Sequence, residues 1–169
     1  MKAAGVILAV AAALALQTTL AGFVLGSTVA VDLALVVVVY VALSWGPVTG
    51  LLTGALAGLV QDALASGVIG IGGLAKTVVG FLAGIIGTQF IVAQPLPRFV
   101  VFFSATVVHA VIFRGLYVLL DLRHFGTPYA AVLGQATANA VVGVVAFQLV
   151  ELLPGAVERR RMQKTRLRR

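Results

Sequence analysis

Apolar runs of membrane-spanning length, parted by breaks of only a few residues, fill nearly the whole chain from Ala3 to Leu153. A helix needs about 20 apolar residues to cross the hydrocarbon core of a bilayer. The 169 residues therefore hold five or six such helices and leave no room for a second, soluble domain. Apolar residues make up 61% of the chain and charged residues 10%, with a mean hydropathy of +1.13. A soluble domain is about a quarter charged, so this chain could not cover a water-facing surface. Bilayer is the solvent that fits.

The breaks predict an all-α polytopic bundle over residues 1–155, with six spans at about 4–25, 32–45, 48–65, 70–92, 99–120 and 129–153, and a basic tail over 156–169. Ala13-Leu14-Ala15 resembles a secretory cleavage site, but the apolar run continues past it through Gln17, so the segment is expected to stay as an anchor. Gly26-Ser27-Thr28 forms the first turn. Gly46-Pro47 divides a stretch too long for one span, because proline removes a backbone donor and clashes with the preceding turn. The valines at 36–39 would suggest a strand in water. In lipid a helix is the simpler solution, since it satisfies every backbone group within the segment. Ser66-Gly67 is a bend, Gln94 to Arg98 the clearest loop, Asp121 to Pro128 another, and Pro154-Gly155 is expected to stop the sixth helix.

A net charge of +7 invites a nucleic-acid reading until its placement is considered. Seven of the twelve basic residues lie in the last eleven positions: Arg159, Arg160, Arg161, Lys164, Arg166, Arg168 and Arg169. The excess belongs to a tail, and no nucleic-acid partner is expected. Six spans put both ends on one side, where Lys2, Arg98 and the tail share the cytoplasmic face and Arg123 alone is external. That distribution follows the positive-inside rule. The tail, as a solvated segment or weak amphipathic helix, would draw anionic lipid at about 1 kcal/mol per near-surface basic residue, or meet an acidic cytoplasmic protein. Cysteine is absent, which excludes disulfides, thiolate metal sites and a cysteine nucleophile.

The glycines carry the clearest pattern. Gly46, Gly50, Gly54 and Gly58 recur every fourth residue with Asp62 next in the series, and Gly72, Lys76, Gly80 and Gly84 form a second ladder. Small residues at this spacing let helix backbones approach closely, which is how spans associate without a hydrophobic driving force. Each ladder carries one charge, and their distances from the Ser66-Gly67 bend suggest an Asp62–Lys76 pair near the external side. Such a pair is either a functional polar element or a device that fixes helix register. Asp32 reads as the N-cap of the second helix. Arg114, inside the fifth span, either pairs with Asp121 or snorkels to the surface.

Catalysis and metal binding find little support. Ser104 and His109 are five residues apart, about 140° around a helix at 3.6 residues per turn, and so do not face each other. His109 and His124 are the only histidines, with a carboxylate near only the second, at Asp121. No catalytic residues, metal or cofactor are expected. Gln17, Gln61, Gln89, Gln135, Asn139 and Gln148 could line a solute cavity, though such amides more often bond across helices.

Several of these residues together resemble the MreD family of bacterial rod shape-determining membrane proteins. Gln17-Thr18-Thr19-Leu20 is similar to the end of that family's first helix. Asp32-Leu33 with the valines and Tyr40 is similar to its second, although Val31 stands where the family usually has proline. Trp45-Gly46, Gly50, Gly54 and Gly58-Leu59-Val60-Gln61-Asp62 resemble its most recognisable stretch, and Gly70 with Leu74-Ala75-Lys76-Thr77 the segment after it. The C-terminal half matches only in hydropathy and size.

The resemblance implies a non-catalytic scaffold of cell-wall elongation in the bacterial cytoplasmic (inner) membrane. Its implied partner is a bitopic MreC-like protein and, through it, MreB filaments, the RodA polymerase and a class B penicillin-binding transpeptidase. It also implies a fold similar to the substrate-binding subunits of energy-coupling-factor transporters. A vitamin-type transporter subunit is therefore the alternative function.

Overall fold

The computed structural model describes residues 2–23, 31–65, 68–90, 94–121 and 129–166. Within them lie α1 (Lys2–Phe23), α2 (Leu33–Trp45), α3 (Pro47–Leu64), α4 (Ile71–Gln89), α5 (Pro95–Leu119) and α6 (Tyr129–Arg166). Each begins within four residues of one of the expected apolar segments. Four of them are long and apolar enough to cross a membrane: α3, α4, α5 and the Tyr129–Leu152 part of α6. Ala4–Thr19 of α1 and the whole of α2 are shorter apolar helices. The turn at Gly26-Ser27-Thr28, the Ser66-Gly67 bend, Arg123, His124, Arg168 and Arg169 lie outside the described residues.

Two boundaries differ from expectation, both at prolines. The Gln94–Arg98 segment is not a loop, since α5 begins at Pro95 and takes in Pro97 and Arg98. The first N–H groups of a helix have no intrahelical partner, so prolines there forfeit nothing. At the other end, Pro154-Gly155 does not stop α6, whose backbone stays helical to Arg166. One forfeited hydrogen bond interrupts the ladder locally, and the turns on either side carry the helix across it.

The hub is α2. Ala34, Leu35, Val38, Val39, Val41 and Ala42 are buried all round it, as suits a helix that is apolar on every side. On one flank it packs with Val6, Val10 and Leu14 of α1 and Ala57 of α3. On the other it meets Val79 and Ala83 of α4, Phe102 and Ala105 of α5, and Ala140 of α6. Its 13 residues span about 20 Å at 1.5 Å each, against a hydrocarbon core of about 30 Å. Gly46 ends it, serving both as the C-cap of α2 and as the N-cap of α3 with φ 88°. A side chain in this left-handed region costs about 1–2 kcal/mol, so glycine fits the break.

The ladders of α3 and α4 face each other in antiparallel register. Gly50 lies against Gly80, Gly54 against the Lys76 carbonyl, Gly58 against Gly72 and Gly73, and Gly84 against Pro47. A Cβ at Gly58 would sit 2.5 Å from the Gly73 Cα, and one at Gly50, Gly54, Gly80 or Gly84 would overlap the opposite main chain. The two helices touch backbone to backbone. Gly46, the first member by spacing, instead lies at the α2–α3 break beside Thr88.

Candidate functional site

Because α2 begins inside the protein, its first N–H groups need partners that no helical turn can supply. The Asp32 carboxylate accepts from the Leu35 N–H at 2.9 Å, the N-cap that its position predicted. The Asp32 N–H donates to Asn139 Oδ1 of α6 at 2.9 Å, and the Ala34 N–H to Gln17 Oε1 of α1 at 3.4 Å. Two of the amides that could have lined a cavity are therefore bonded across helices to this helix end.

The second oxygen of Asp32 accepts from Lys76 Nζ at 2.7 Å, and the same nitrogen lies 3.2 Å from His109 Nε2. Paired with a carboxylate, Lys76 is an ammonium and has no lone pair. His109 Nε2 must therefore be the acceptor, which puts the ring proton on Nδ1. From Asn139 the network runs on: its Nδ2 donates to Thr106 Oγ1 at 3.2 Å, and that hydroxyl donates to the Phe102 carbonyl at 2.9 Å. Lys76 is 2% exposed, Asp32 5% and Asn139 0%. One connected set of polar groups thus ties α1, α2, α4, α5 and α6 inside an apolar bundle. Below it on α5, the His109 ring stacks towards Phe113 at 5.8 Å, and Phe113 meets Tyr117 at 4.9 Å.

The expected Asp62–Lys76 pair does not form. In the glycine register Lys76 stands opposite Gly54, eight residues before Asp62 and so about 12 Å from it along α3. Asp62 instead reaches over the start of α4, where its Oδ2 accepts from the N–H groups of Gly70 at 2.9 Å and Gly73 at 3.1 Å. A carboxylate at a helix N-terminus satisfies orphan donors and meets the positive end of the dipole. The two intramembrane charges serve separate ends of two helices.

Arg98, expected at the surface, is buried. Its two terminal nitrogens meet the Glu151 carboxylate of α6 at 2.8 and 2.5 Å, and its guanidinium lies 4.2 Å over the Phe147 ring. Phe147 packs on Tyr40 of α2 at 4.6 Å, which joins this pair to the hub. No ion pair joins Arg114 to Asp121 among the described residues. Ser104 is exposed while His109 turns inward to Lys76, so the structure does not bring them together. Gln89 and Gln148 are exposed, and the Gln61 side-chain oxygen is buried without a hydrogen-bond partner. In the basic tail, Arg159, Arg160, Arg161, Lys164 and Arg166 lie on the helical backbone of α6.

Spanning-length helices closed around mutually satisfied charges define an α-helical membrane protein whose polar interior holds helices together. The family follows from the chain itself. Residues 2–154 match the family model described as rod shape-determining protein MreD, and the chain belongs to that family. Rod shape determination is its role at that level. No curated protein and no solved structure gives a significant match.

Proposed function

We propose that this protein is a non-catalytic membrane scaffold of the cell-wall elongation machinery. It helps maintain rod shape by binding an MreC-like bitopic protein and, through it, MreB filaments, the RodA polymerase and a class B penicillin-binding transpeptidase. In this reading all six helices cross the cytoplasmic (inner) membrane of a bacterium. Both termini are cytoplasmic, and the basic tail lies against anionic lipid.

Family membership over residues 2–154 carries the proposal. The committed polar interior supports it. A vitamin-type transporter subunit needs polar groups left open to a ligand, whereas the buried carboxylate, ammonium and amide of Asp32, Lys76 and Asn139 are taken up by one another and by helix ends. Depleting the protein in its rod-shaped host should round the cells, and the tagged protein should co-purify with an MreC-like partner. Cells that keep their rod shape after clean deletion would sink the proposal.

A further inference from the structure

A cleft of about 370 Å³ lies between α5 and α6, within the range of small-molecule sites, about 300–1,000 Å³. Val107 and Val111 of α5 and Val132 and Leu133 of α6 form its apolar walls, and Arg114 and Tyr129 also line it. Arg114 lies five residues before the end of α5 and Tyr129 is the first residue of α6. Both residues therefore stand at the same end of the cleft, whose own surface is almost wholly apolar, so their polar groups serve only its rim, while Val107 lies about 10 Å deeper along the helix.

Arg114 makes no ion pair among the described residues. That sets it apart from Lys76 and Arg98, each of which has a carboxylate. An arginine within a spanning helix is costly unless something meets it. Its planar fork suits phosphate, and the Tyr129 hydroxyl can add a second donor.

The geometry points to a seat for one anionic phospholipid at this cleft, with its phosphate at the rim on Arg114 and Tyr129 and an acyl chain inside, between the valines of α5 and the Val132–Leu133 face of α6. A lipid explains both halves of the site, because a free phosphate would leave the apolar walls unused. The choline of a zwitterionic lipid would set a positive charge near Arg114, so phosphatidylglycerol should be preferred to phosphatidylcholine.

The test uses the full chain in phosphatidylcholine nanodiscs containing a trace of phosphatidylglycerol with a photoactivatable acyl chain. Adducts should map to residues 107–111 and 132–133, away from the basic tail. R114Q should lower that labelling about tenfold, or about 1.4 kcal/mol, and a photoactivatable phosphatidylcholine should label the cleft weakly in either protein. V111W fills the cleft but keeps the arginine, and should abolish the adducts even if R114Q does not fold. Millimolar inorganic phosphate should leave labelling unchanged. Equal labelling by the two lipids, undiminished labelling of folded R114Q or V111W, or displacement by inorganic phosphate would each overturn the proposal.

Discussion

In the α3–α4 hairpin the main chains themselves touch along the glycines. Where α2 meets α4, α5 and α6, side chains make the contact instead: an apolar layer around Phe102 and, beside it, the Lys76–Asp32–Asn139 network. The difference teaches how a bundle in lipid can be held by two separate means. Close backbones gain dispersion and need nothing polar, but they depend on there being no side chain in the way. A buried ion pair gains little net stability once its desolvation is counted, yet breaking it by removing one partner is severe. One region should tolerate no added atoms, and the other no lost charge.

Lys76→Met gives the largest expected effect, because it leaves the Asp32 carboxylate buried and unpaired, at about 3–5 kcal/mol. It is read as lost thermal stability in detergent. Adding Asp32→Asn removes the orphaned charge and keeps a capping oxygen, so the double variant should recover much of that loss. If it does not, the pair is not what holds this region.

Gly54→Val comes next. It forces the α3 and α4 main chains apart, and overpacking of this kind costs about 1–3 kcal/mol. Gly115→Ala, whose added methyl would meet nothing within 4 Å, should leave the melting temperature at or slightly above that of the parent. Equal losses at the two positions would mean that glycine itself, rather than the close approach, matters. The smallest expected loss belongs to Asp62→Ala, which removes the cap on Gly70 and Gly73 and should cost about 1 kcal/mol. A loss matching that of Lys76→Met would erase the distinction between the capping charge and the clamping one.

The two regions were unequally legible in the sequence, for a physical reason. A glycine ladder repeats every four residues within one helix, so local periodicity reveals both the helix and its contact face. The N-cap role of Asp32 is local as well, and it too could be read. The partner of Lys76 is not local, since Asp32 lies 44 positions away. Ruling out Asp62 requires the α3–α4 register, and finding Asp32 requires the packing of α2 on α4, neither of which charge spacing gives. His109, 33 positions from Lys76, carried no signal beyond its presence in an apolar helix. The burial of Arg98 is not legible either, because proline suits a loop and a helix start equally well.

The distance in sequence between the hub and its last cap has a consequence for how the chain is made. The Asp32 N–H donates to Asn139, 107 residues later. At about 5–20 residues per second of synthesis, α2 waits roughly 5–20 s in the membrane before α6 can close over it. During that interval its start is incomplete and open to whatever quality control patrols the bilayer. A chain truncated before Tyr129 should therefore be cleared rapidly in cells, and pulse-chase labelling beside the full chain would show it. On that outcome the final helix is the closing step of assembly, and the gap left at the start of α2 is what would mark an unfinished copy for removal.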